Sequence, residues 1–444
     1  MAKQVGLIGA TTTIVGFVIG TSIFVLPAQL AGAAGPSVVA SYFIACCIAL
    51  LLCLVTAELG CRLPVNGGSF VVVAEYVGEL PAFLLMWTMI LSVGIGMAAV
   101  ALGLANYLAA VVPSVPPAIT AIAFVTTFVA INLLGLRTAI WTQVLLTAAF
   151  LLAKSLFLAT GWIPFQPERL SPFMPNGVPA MLAAIVPAYF SFGGFSVLLE
   201  IGGEIRHPRR SVPLAVGLSF LLVLALYTAI PLLLVGGLPW QDLPHLPAPA
   251  LTLIEPVTPG WLVTIVRIGI LGGAITAINA VLLGYSRNLA AIAAAGFLPT
   301  VLARTGGARG QPRAAILAIG AVTVASIAAG ASITQYAVVF VVAFLSQQIL
   351  LGAALLAVSR TGSPAILPDR VSRPVAWALI VVSLVLLLAA LWSDPGMFMV
   401  TLLVTLLGAV IHVVRARRTA GGGSAHFIGR RKQGRVASGV ERGE

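Results

Sequence analysis

The stretch VGFVIGTSIFVLP, Val15 to Pro27, lies within an apolar run that extends from about residue 5 to residue 34. Such a run is long enough to cross a bilayer, for which a helix needs about 20 apolar residues. Yet Gly16, Gly20, Thr21, Ser22 and Pro27 weaken a helix in its middle, where a plain anchor gains nothing from them. The rest of the chain names the solvent. Of its 444 residues 60% are hydrophobic and 8% charged, with a mean hydropathy of +1.11. A water-soluble domain of this size carries far more charge, so the bilayer is the main solvent.

Further apolar runs lie near 37–60, 79–111, 117–136, 140–163, 178–205, 211–237, 260–287, 313–332, 335–359, 374–392 and 396–414. They are continuous rather than alternating, which excludes an outer-membrane barrel. The expected fold is an all-α polytopic membrane protein of about 12 transmembrane helices, each satisfying its own backbone hydrogen bonds. Ala31–Ala33 resembles a signal-peptide cleavage site, but the length of the first run and its threonines favour a retained span.

The formal net charge of +12 is spread along the loops rather than gathered in a nucleic-acid-binding patch. With the N-terminus inside, Lys3, Arg62, Arg137, Arg206, Arg209, Arg210, Arg287, Arg304, Arg309, Arg313, Arg360, Arg370, Arg373 and the basic residues from Arg415 onward all fall on the cytoplasmic side. Arg169 falls outside, and Lys154 and Arg267 lie within runs. This asymmetry puts both termini in the cytoplasm, the chain in the cell membrane, and no nucleic acid among its partners. Residues 1–4 are then a short cytoplasmic start, and residues 415–444 a basic, glycine-rich tail that reads as disordered. Cys46, Cys47, Cys53 and Cys61 lack metal-ligand spacing and read as small packing residues. No cofactor, metal site, ATP-binding loop or set of catalytic groups is expected, which argues against an enzyme.

A second run is interrupted in the same way. VPAYFSFGGFSVLLEIGGEIRHPRRSVP, Val186 to Pro213, places Gly193 and Gly194 in the middle of the sixth run. The second break lies five runs after the first, an odd offset, so the broken helices run antiparallel. That offset points to an inverted repeat, residues 5–163 against 178–359, with residues 374–414 outside it. Unwound backbone at mid-membrane is tolerated where it lines a cavity or is buried in protein. Its freed amides and carbonyls can hold a ligand's charged groups. The competing reading is a pair of glycine-mediated packing contacts.

The motifs resemble those of the amino acid–polyamine–organocation (APC) superfamily of transporters. GFVIGTSIFVLPAQLAGAAGP is similar to that family's first-span signature, and ELGCRLPVNGGSFVVVAEYVG to its P-x-x-G-G element after the second span. SFGGFSVLLEIGGEIRHPRRSVPLAV resembles its sixth-span pattern, and GYSRNLAAIAAAGFLPTVLAR the segment after its eighth. The resemblance covers about residues 5–414. It implies the LeuT-type five-plus-five inverted repeat with discontinuous helices 1 and 6, and secondary transport of amino acids by alternating access. It implies no cofactor, an amino acid as substrate, and protons as the coupling ion, with amino acid exchange, or a non-transporting sensor or channel on the same fold, as the alternatives. The sequence departs from the pattern at Ser196, where an acid is common, at His207 in place of asparagine, and at Ala295 in place of aspartate. The missing acid disfavours a cationic substrate and favours a neutral or apolar one.

By that resemblance Gly20, Thr21, Ser22 and Ile23 form the seat of a substrate carboxylate, and the carbonyls of Ser191 to Gly194 that of its ammonium. Phe192, Gly193, Gly194, Phe195 and Ser196 complete the sixth-run part, and Asn279 is a further pocket or cation-site contact. Lys154, in the middle of the fifth run, is costly to bury and is a functional candidate by default. With Glu200 it is expected to carry the coupled proton, a structural cation being the alternative. Arg267 is expected to snorkel to the interface, and Glu58, Glu75 and Glu79 to lie on solvated surface. The segment LAAIAAAGFLP is expected as a short helix on the inner membrane surface, and the last two runs as a possible homodimer contact.

Overall fold

The computed structural model describes residues 6–18, 22–63, 68–109, 115–134, 136–200, 205–294, 296–304, 311–360 and 366–419. The first run consists of two helices, α1 (Leu7–Val18) and α2 (Ser22–Ala34). Then come α3 (Val38–Arg62), a short α4 (Gly68–Tyr76) that no apolar run announced, α5 (Glu79–Ala109), α6 (Pro117–Leu134) and α7 (Leu136–Thr160). The sixth run is composite. It comprises α8 (Gly177–Ala183), α9 (Ile185–Tyr189), a 3-10 segment from Phe190 to Ser196, and α10 (Val197–Glu200). α11 (Pro208–Gly237) leads into a proline-rich loop that contains α12 (Pro249–Ile254). α13 (Gly260–Ala294), α14 (Arg313–Ala329), α15 (Ile333–Val358), α16 (Asp369–Ser393) and α17 (Pro395–Thr419) complete the bundle.

Among the described residues, nine helical segments are long and apolar enough to cross a membrane, and α1, Leu146–Thr160 of α7, and α14 are shorter apolar helices. The chain is a multi-pass helical membrane protein. α5 and α15 run through its centre, where Phe83, Met89, Val341, Phe344 and Leu345 are all buried. α16 and α17 turn Trp377, Leu384, Leu388, Leu403 and Leu407 outward, as helices bathed in lipid do.

Two expectations fail here for physical reasons. α13 does not stop near residue 287 but continues to Ala294, so LAAIAAAGFLP forms no separate surface helix. Leu289, Ala290, Ile292 and Ala293 are buried and prolong the apolar face of α13, and Gly296, with φ +82°, follows its end. Glu58 is not solvated either. It is fully buried at the end of α3, with Oε1 2.6 Å from Arg62 Nε. Its Oε2 accepts the backbone N–H groups of Ile366 at 3.2 Å and Leu367 at 3.0 Å. Glu75 is exposed and Glu79 half-buried. Arg267 forms an ion pair with Glu255 at 3.1 Å rather than only snorkelling. Cys46, Cys53 and Cys61 are buried and Cys47 is exposed, all four as free thiols.

Candidate functional site

α1 ends at Val18, and α9 gives way at Phe190 to seven residues of 3-10 helix. Runs of 3-10 helix longer than three or four residues are uncommon and often mark hinges. The interruption of the sixth run is therefore a tightened turn rather than an uncoiled stretch. The two interrupted runs also touch. A Cβ at Gly194 would lie 2.5 Å from the Val18 nitrogen and 2.7 Å from the Phe17 carbonyl carbon, so backbone meets backbone and only glycine fits.

The carbonyl of Val18, the last described residue of α1, accepts a 2.9 Å hydrogen bond from the Tyr227 hydroxyl of α11. The Tyr227 ring stacks on Tyr42 of α3 at 6.0 Å and lies 5.1 Å from Phe192. On the far side, the Tyr189 hydroxyl donates to Gln348 Oε1 of α15 at 3.0 Å. The crossing is thus fixed from three neighbouring helices.

A cavity of about 70 Å³ opens beside it. α1 contributes Phe17 and Val18, and α5 contributes Val93, Gly96, Met97 and Val100. The 3-10 segment supplies Phe190, Ser191, Gly193 and Gly194, α13 supplies Ala277, Val281 and Tyr285, and α15 supplies Phe340. None of these side chains is charged, and Ser191 and Tyr285 are the polar ones. A void of about 10 Å³ shares Val100 and Phe190 with the cavity, and shares Val25 with a space of about 230 Å³ beneath the Leu243–Pro249 loop. Phe190 thus lines both the cavity and the neighbouring void.

The expected site residues divide accordingly. Gly193 and Gly194 line the cavity. Ser22 and Ile23 open α2, with their side chains outside the described set, and Gly20 and Thr21 lie outside it altogether. Phe192, Phe195 and Ser196 are buried and are not among the lining residues. Phe192 packs on Tyr227 and Phe195 lies 6.3 Å from Phe220, and the aromatic residues that line the cavity are Phe17, Phe190, Tyr285 and Phe340. Asn279 is also absent from the lining, and its Oδ1 accepts a 2.9 Å hydrogen bond from Asn132 Nδ2 of α6. Lys154 is buried on α7, with Nζ 3.8 Å from the centre of the Phe150 ring. That ring is seated against Gly273 of α13, where an added Cβ would lie 1.9 Å from it. The Glu200 side chain lies outside the described set.

The lining from α5, α13 and α15 was missed. One signal was available: Ala277, Val281 and Tyr285 recur at four-residue steps, as do Val93 with Met97 and Gly96 with Val100, so each set shares a helix face.

The profile of the amino acid permease family matches residues 5–414, which include nearly all of the helical bundle. The chain belongs to that family. The permease is 26% identical over 324 residues to the branched-chain amino acid permease BcaP of Bacillus subtilis, covering 68% of this chain and 70% of that protein. It is 30% identical over 335 residues to a transporter of Mycobacterium tuberculosis, covering 75% of each. It is 29% identical over 314 residues to the vacuolar cationic amino acid transporter 2 of Arabidopsis thaliana, covering 65% of this chain and 49% of that protein. The permease is thus a member of the APC superfamily, a membrane protein of amino acid transport rather than an enzyme.

Proposed function

We propose that the permease is a secondary active transporter of neutral amino acids with apolar side chains, working by alternating access on a five-plus-five inverted repeat. The observation that carries the substrate class is the cavity lining, which among the described residues holds no charged side chain. A cationic side chain would lose its hydration there and gain no counter-charge. Among the relatives, the branched-chain permease therefore fits this lining better than the cationic transporters do. The space is small, about 70 Å³, which suits a short aliphatic amino acid.

The substrate carboxylate would sit at the amides that open α2 at Ser22 and Ile23, where the helix dipole is positive. Its ammonium would face the carbonyls of Ser191 to Gly194. The five-run offset of the two interruptions and their contact at Gly194 and Val18 support the inverted repeat and make these elements the moving gate. Buried Lys154, with Glu200, would carry the proton that couples transport to the gradient. The loop charges favour both termini in the cytoplasm.

The test is uptake of radiolabelled amino acids into proteoliposomes, with and without an inward proton gradient. Short aliphatic amino acids should accumulate with the gradient, and arginine and lysine should not. Uptake only into vesicles preloaded with amino acid would replace symport by exchange. Preferred uptake of arginine would overturn the substrate class.

A further inference from the structure

We infer that Phe340 is the size gauge of the cavity, the side chain whose ring occupies the volume a larger substrate side chain would need. The inference rests on the reading of the cavity as the site of an apolar amino acid.

Phe340 projects from α15 and is wedged between two glycines. A Cβ at Gly96 of α5 would lie 3.1 Å from Phe340 Cβ and 3.2 Å from its Cδ2. A Cβ at Gly193 would lie 2.5 Å from both Cε1 and Cζ of the same ring. From root to tip, the ring therefore fills space that side chains at positions 96 and 193 would otherwise take. Two more rings fix its angle, Phe190 edge-on at 5.1 Å and 82° and Phe344 stacked at 5.6 Å and 25°. Both arrangements are favoured for aromatic pairs, so the ring is held before substrate arrives.

The other bulky apolar walls are less suited to this role. Phe17 and Phe190 belong to the interrupted runs. Met97 is unbranched and adapts to what it touches. Phe340, by contrast, stands on a continuous helix of 26 residues whose start is held by a capping box between Ser332 and Gln335. A rigid wall sets a size limit that a flexible one cannot.

The test compares alanine with leucine and phenylalanine in proteoliposomes, reading the ratio of Vmax/KM within each variant so that differences in folded protein cancel. One methylene in an apolar pocket changes selectivity by roughly tenfold or more. Phe340→Leu, or Phe340→Met should the first variant fold poorly, should shift the ratio about tenfold towards the larger amino acids. Gly96→Ala adds a methyl group to the cavity wall, tight against Phe190 and Phe340, and should shift the ratio the other way. Proportional loss of all three substrates in these variants would overturn the gauge and leave the substrate reading intact. Failure of the unaltered permease to take up any apolar amino acid would instead overturn that reading, and the gauge with it.

Discussion

Lys154 of α7 and Arg62 at the end of α3 are both buried cations, yet their surroundings differ in kind. Arg62 is enclosed by carboxylates, Glu58 at 2.6 Å and Asp369 at 3.3 Å, and the second Glu58 oxygen is satisfied by two backbone N–H groups of the chain entering α16. Lys154 sits inside a span with its ammonium over the Phe150 ring. A cation–π contact contributes roughly 0.5–2 kcal/mol. Inserting a lysine at mid-span costs roughly 2.5–3.5 kcal/mol. The comparison separates a charge cluster that fastens helices together from a charge placed where proteins rarely keep one for stability.

The largest effect should come from breaking the fastened cluster. Glu58→Ala leaves Arg62 buried with, among the described residues, one partly exposed partner and removes the acceptor of two backbone amides. Removing one member of a buried ion pair costs about 3–5 kcal/mol. Thermal unfolding of the purified permease in detergent should show a much lower midpoint. The double variant Glu58→Ala with Arg62→Leu should recover part of that loss, because an apolar replacement of a buried pair is often neutral. An unchanged midpoint in the single variant would show that the cluster does not fasten α3 to α16.

Lys154→Met should produce the opposite pattern. Methionine keeps the length of the side chain and its packing against Phe150 while removing the charge, so the thermal midpoint should change less than in Glu58→Ala. Accumulation driven by a proton gradient should be abolished, while exchange between preloaded vesicles and medium persists. A variant that still concentrates substrate with the gradient would end the proton-carrying role. One that unfolds would move Lys154 into the same class as Arg62.

The two cations were unequally legible in the sequence. Lys154 stands alone among apolar residues, so its burial follows from the span itself. Glu58 and Arg62 lie at the end of a run, where a charged pair one helical turn apart looks solvated. What buries them arrives some 300 positions later in the chain, with Ile366, Leu367 and Asp369. The site follows the same rule. Gly193 and Gly194 were visible because small residues inside an apolar run are a local anomaly. Phe340, Met97 and Val281 are ordinary apolar residues on ordinary apolar helices, and they become a pocket wall only through the packing of α5, α13 and α15 around the interrupted runs. Asn279 was legible only in part for a related reason, since a polar residue in a span marks a partner but does not reveal that Asn132 is one.

The smallest effect sharpens the comparison most. Asp369 also contacts Arg62, but its side chain is 48% exposed and the distance is 3.3 Å. A pair of this kind contributes about 0.2–1 kcal/mol. As the first residue of α16, Asp369 also places a negative charge at a helix N-terminus, which adds about 0.3–1 kcal/mol. Asp369→Asn removes both charge contributions, so its midpoint should fall only slightly. Raising the salt concentration should narrow the gap between the variant and the unaltered permease, because both contributions are screened at an exposed site. The much larger gap for Glu58→Ala should persist in the same salt series. If the two gaps respond alike, burial does not distinguish the partners of Arg62, and the contrast between a fastening cluster and its rim is lost.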